Sequence, residues 1–101
     1  MGRSNPRKPP PRVALPRYRA EHWTRWLETA SDRGLFAAGF TEWQRGAEAM
    51  AERIRRSGFE VVWIDLDPEV IDAWCRARGY SNTSEKRFQY AAEQIGNVRI
   101  H

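Results

Sequence analysis

Six cations and no acid occupy the first nineteen residues: Arg3, Arg7, Lys8, Arg12, Arg17 and Arg19. Side chains of this kind neutralise phosphates without reading sequence, so the chemistry open to them is electrostatic capture of a nucleic-acid backbone. The rest of the chain holds eleven basic and thirteen acidic groups, a net −2, so the pI near 9.8 reports a basic arm on a slightly acidic body. A second candidate for phosphate is Ser81 to Ser84, where Ser81, Asn82 and Ser84 stand at an expected helix start with N–H groups and hydroxyls to offer. A third is the cluster Arg53, Arg55 and Arg56, although arginines in a last helical turn read first as a solvated helix end.

Other chemistries find little support. Asp65, Asp67, Glu69 and Asp72 are spaced as divalent-metal carboxylates sometimes are. Yet Asp67-Pro68 has the form of an N-cap and first helical residue, and acids in the next turn favour the helix dipole, so no metal is expected. Nucleophilic catalysis would need Cys75 or a serine beside a base, and the only histidines are His22 and His101. No Gly-rich phosphate loop, paired metal-binding cysteines or His-Glu helical pair occurs. The chain reads as non-catalytic, with no cofactor.

The elements that must carry these residues begin with Phe59 to Leu66, the strongest strand signal, which runs directly into the Asp67-Pro68 helix start. Its two faces, Phe59, Val61, Trp63 and Asp65 against Glu60, Val62, Ile64 and Leu66, are both apolar in the middle, which predicts cover on both sides. A single strand cannot satisfy its own backbone, and Val98 to Ile100 is a candidate partner. Before it, Trp23, Trp26, Leu27 and Ala30 predict a helix over 19–30. Ser31 to Phe40 reads as a connector with a short helical turn. Thr41 and Gln44 form a capping box opening a helix to Ser57, with Trp43, Ala47, Met50, Ala51 and Ile54 as its stripe. After the strand come a helix over 68–78, burying Val70, Ile71 and Trp74, and one from about Ser84 to Ile95 that presents Phe88, Ala91, Ala92 and Ile95 and is broken by Gly96-Asn97. The expected fold is mainly α (α+β): four helices around one central strand, strand-helix-helix in the C-terminal half, and a disordered arm. The arm spans residues 1–18, where five prolines disfavour helix and sheet, and one small globular domain spans 19–101.

One cysteine excludes an internal disulfide and fits a reducing compartment. No apolar run approaches the ~20 residues of a membrane span, and no apolar stretch follows the basic N-terminus, so the expected location is the cytoplasm.

Residues 61–95 resemble a ribbon-helix-helix DNA-binding domain, on Val62-Trp63-Ile64-Asp65-Leu66-Asp67-Pro68-Glu69, Asp72-Ala73-Trp74-Cys75-Arg76-Ala77-Arg78-Gly79 and Ser81 to Glu85. The resemblance implies a homodimer in which two strands pair as an antiparallel ribbon, with a phosphate at the second helix's N-terminus. The outward positions Val61, Trp63 and Asp65 carry no base-reading group, so contact with DNA is expected from the arm. The function expected is a small nucleic-acid-associated regulator or mobile-element accessory factor. The alternative is a protein-binding adaptor or inhibitor using the acidic, aromatic-rich body.

Overall fold

The computed structural model describes residues 9–98, with side chains as far as residue 96. The chain is mainly helical with a small parallel sheet. β1 (Arg12–Arg17) is followed by a 3-10 turn (Ala20–His22), α1 (Trp23–Thr29), α2 (Gly34–Ala37), α3 (Phe40–Arg56), β2 (Glu60–Asp65), α4 (Pro68–Arg78) and α5 (Ser84–Val98). β1 and β2 pair in parallel, Arg12 opposite Glu60 through Arg17 opposite Asp65. Parallel neighbours need a crossover, and α1, α2 and α3 provide it.

The pairing corrects two expectations. Within the chain, the central strand's partner is not a C-terminal strand: it is the last third of the supposed arm. Val98 ends α5, which runs straight through Gly96-Asn97, and Ile100 lies outside the described residues. The prolines that argued for disorder are placed where they cost least. Glu60 N donates to Pro11 O and Leu66 N to Arg17 O, so the odd-numbered residues of β1 face β2. Arg12, Ala14 and Pro16 therefore turn their backbone to the outer edge, where the missing N–H of Pro16 breaks no ladder bond. Ala14, Leu15 and Pro16 are buried, and the apolar centre of this short segment outweighs its proline content.

The core is aromatic. Tyr18, Trp26, Ala30, Phe36, Leu66, Ile71, Trp74 and Cys75 form one cluster, with Trp23, Leu27, Trp43, Ile64, Tyr80 and Tyr90 packed against it. Trp26 stacks on Phe36 at 5.7 Å, and Tyr18 meets Trp26, Phe36 and Trp43 edge-on at about 5 Å, each such pair adding a little beyond its burial. β2 is half-buried at Val61, Val62, Trp63 and Ile64, consistent with partial cover of both faces.

Several boundaries differ from expectation. The first helix opens with a 3-10 turn and ends at Thr29. α2 is a fifth helix where only a turn was expected. α3 begins at Phe40 behind Gly39 (φ 98°), with no side-chain cap, so the Thr41–Gln44 box does not form. A residue with this φ is strained unless it is glycine, and the backbone break does what the Thr41 hydroxyl was expected to do. Val70 is 46 % exposed and Ala73 and Ala77 face solvent, so α4 buries Ile71, Trp74 and Cys75.

The start of α4 matches its sequence. Asp67 accepts a hydrogen bond from Glu69 N at 2.8 Å, Pro68 holds the first helical position, and Gly79 (φ 70°) closes the helix. Asp67→Ala is expected to cost about 1 kcal/mol in a urea melt, and a shift below about 0.3 kcal/mol would mean the cap carries little weight.

Candidate nucleic-acid interface

Two of the residues expected to cradle phosphate at α5, Asn82 and Ser84, are engaged within the chain. Ser84 N, at the head of α5, donates to Asp32 Oδ2 at 2.8 Å, so the α1–α2 loop supplies the anion at this helix start. Asn82 is buried: its Oδ1 and backbone O accept from Arg87 NH1 at 2.8 and 3.0 Å, and its Nδ2 donates to Thr29 O. Ser81 is exposed and its O accepts from Thr83 N. This turn is a structural knot around Arg87.

Arg87 is wholly buried, which nothing in the sequence flagged. Its Nε donates to Tyr18 Oη at 2.8 Å and its NH2 reaches both oxygens of Asp32 at 3.0 Å. Its guanidinium lies 5.1 Å from the Phe36 ring centre, with Tyr18 and Trp26 each within 6 Å. One side chain thereby ties the end of β1, the α1–α2 loop, the α4–α5 turn and α5. Burial pushes the Tyr18 phenol up from its ordinary value despite the neighbouring Arg87, so it stays a neutral acceptor.

Arg17 and Arg19 converge on Asp65, Arg17 Nε at 2.5 Å from Oδ1 and Arg19 NH2 at 2.9 Å from Oδ2. The hydrogen bond from Arg17 leads in holding the Asp65 carboxyl below its usual range. Nearby Arg25 forks onto Glu69 and also pairs with Glu28. The end where the strands finish thus collects Glu21, Glu28, Asp65, Asp67, Glu69 and Asp72, with Arg17, Arg19 and Arg25 spent on them.

The end where the strands start is different. Arg12 lies opposite Glu60 at 3.9 Å, a loose exposed pair. Glu60 N bonds Pro11 O, and Phe59 N bonds Ile54 O at 3.3 Å, so the foot of β1 and the last turn of α3 meet at one place. Arg53, Arg55 and Arg56 are on that turn. Glu52 stands 3.8 Å from Arg55 and 3.6 Å from Arg56, and Arg53 has no acidic partner among the described residues. The carbonyls of Arg53, Ile54 and Arg55 are taken by Ser57 N, Gly58 N, Phe59 N and Ser57 Oγ, so the arginines are not needed to cap them. Arg3, Arg7 and Lys8, outside the described residues, lead by chain connection into this same end.

An apolar cleft of about 440 Å³ runs between α3, α2 and the sheet, lined by Leu15, Leu35, Trp43, Met50, Trp63 and Phe88. Three of these, Leu35, Met50 and Phe88, are among the large apolar side chains left exposed. Among the described residues, no group of acids, histidines and cysteine is placed to hold a metal. The Asp65–Asp72 carboxylates are divided between Arg17, Arg19, Arg25, Arg76 and the α4 cap. Cys75 is a buried thiol pushed up by its burial, away from nucleophilic reactivity. His22 has a buried Nδ1 without a hydrogen-bond partner. No helix among the described residues is long and apolar enough to cross a membrane. Comparison with known protein families, curated proteins and solved structures returns no match, so the functional reading rests on the chain's own residues.

Proposed function

We propose that the protein is a non-catalytic nucleic-acid-associated factor that contacts phosphates through its basic N-terminal segment. The observation that carries this reading is the separation of charge along the sheet. Arg17 and Arg19 are matched by Asp65 at one end, whereas Arg12 at the other leads back to Arg3, Arg7 and Lys8 with only Glu60 opposite. A field polarised in this way orients the molecule toward a polyanion and raises its encounter rate. Phosphate binding at Ser81 to Ser84 is less favoured, because Asp32 already takes the N–H of Ser84 and Asn82 is buried against Arg87. The role proposed with it is that of a regulator or mobile-element accessory factor.

A second reading, a protein-binding adaptor, is favoured by the apolar cleft between α3, α2 and the sheet. Fluorescence anisotropy of a labelled DNA or RNA strand separates the two. Binding that weakens linearly with the logarithm of salt, and is unchanged by Met50→Asp in the cleft, is expected. No detectable binding at low salt would remove the nucleic-acid reading.

A further inference from the structure

The end of the sheet where the strands start also carries an exposed aromatic. Phe59 is 39 % exposed, lies between Arg56 and Glu60 in the chain, and is held in place by its N–H on Ile54 O. Of the large apolar side chains left exposed, Leu35, Met50 and Phe88 share the cleft and Val70 is aliphatic, so Phe59 stands apart as an aromatic among arginines. The last turn of α3, which ends three residues before it, carries Arg53, Arg55 and Arg56, and across the strand pair Arg12 stands on the Glu60 face; Glu52 and Glu60 are the acids of the same junction and Glu93 the acid in the later turns of α5. Arg55 and Arg56 share the single carboxylate of Glu52 at distances longer than a hydrogen bond, and Arg53 has no acidic partner among the described residues. The carbonyls of Arg53, Ile54 and Arg55 are satisfied by the residues that follow the helix, which leaves the arginines available to an outside anion.

We infer that this end of the molecule takes single-stranded nucleic acid, with phosphates on Arg53, Arg55 and Arg56 and an unstacked base against Phe59. A single strand presents both a charged backbone and open base faces, and cations beside an exposed aromatic match both. A duplex hides its base faces and would leave Phe59 without a partner. The inference rests on the proposed nucleic-acid reading and extends it, by naming the form of the ligand and adding α3 to the arm.

The test is anisotropy on the full chain with two probes, a labelled mixed-sequence DNA strand of about 20 nucleotides and its duplex, across a salt series. Four proteins are compared: wild type, Phe59→Leu, the triple variant Arg53→Gln/Arg55→Gln/Arg56→Gln, and Arg76→Gln. Arg76 serves as a control because its side chain is 79 % exposed on α4 and salt-bridged to Asp72. Thermal melts matched to wild type verify that the surface changes leave the fold intact. Expected is tighter binding of the single strand, weakened roughly five-fold or more by Phe59→Leu with duplex binding unchanged. The triple variant is expected to reduce the single-strand salt slope by about 2, and Arg76→Gln to change neither quantity.

Wild-type single-strand affinity in either Phe59→Leu or the triple variant would overturn the inference while leaving the arm reading intact. Duplex binding as tight as single-strand binding would do the same. Binding of neither probe by wild type would remove both readings. Sedimentation with vesicles rich in anionic lipid at the same salt, if it matched the affinity for the single strand, would reassign the surface to a membrane and overturn the inference.

Discussion

Replacing Arg87 with Met is expected to remove about 3 kcal/mol or more of folding stability. The change keeps much of the side chain's length and apolar bulk but withdraws the donors that hold Tyr18 Oη, Asn82 O and Oδ1, and both Asp32 oxygens. Tyr18 and Asn82 are buried and are left with unmet acceptors, while Asp32, whose side chain is about one-third exposed, recovers part of its hydration. A domain of this size has about 5–15 kcal/mol in hand, so the loss takes a large share of it. In urea the midpoint should fall by roughly 2 M. Arg87→Lys keeps the charge but not the planar fork, and should recover only part of the loss. A midpoint for Arg87→Met close to that of wild type would show that the buried cation is not what joins these four segments.

The second large effect concerns where the arm ends. Deleting residues 1–8 is expected to leave the melting temperature within about 2 °C of the intact chain, whereas deleting residues 1–17 should abolish cooperative unfolding. The longer deletion removes β1, and with it buried Ala14, Leu15 and Pro16 and the ladder partners of Glu60 through Leu66. Losing Leu15 alone forfeits about 1.5–3 kcal/mol of burial. The inward N–H groups of β2 then lose their acceptors at about 1 kcal/mol each, and Tyr18 loses its covalent lead-in from the sheet. A chain lacking residues 1–17 that still melted cooperatively would mean that the parallel pair is dispensable.

The sequence and the structure agree most where local chemistry decides. Asp67-Pro68 and Gly79 bound α4 as read, because a cap is a contact between near neighbours. Trp26 and Ala30 are buried at their helical spacing, with Trp23 and Leu27 packed beside them. β1 was hidden because proline density is a local signal, and the harmless placement of Pro16 on an outer edge depends on a strand more than forty residues away. The buried face of α5 agrees with the expected one only in part. Of the expected face, Ala91 is buried and Ile95 half-buried, but Phe88 and Ala92 are exposed and Arg87 takes the inward position beside Ala91. Hydrophobic periodicity cannot find a buried arginine, whose place depends on Asp32 and Tyr18 arriving from distant parts of the chain.

The charge on the arm was legible in composition, but its division was not. Nothing in the order of residues says that Arg17 and Arg19 will meet Asp65, or that Arg12 will stand by the last turn of α3. The parallel register makes that division, sending one end of a basic segment to an acidic corner and the other to more arginines.

The chain lacking residues 1–8 provides the most direct check that the arm meets phosphate. It loses Arg3, Arg7 and Lys8 and nothing of β1. Its affinity for a labelled single strand, followed against salt beside the intact chain, should fall, and its salt slope should drop by about 2. An unchanged slope and affinity, in a protein that melts as the intact chain does, would contradict phosphate contact by the arm.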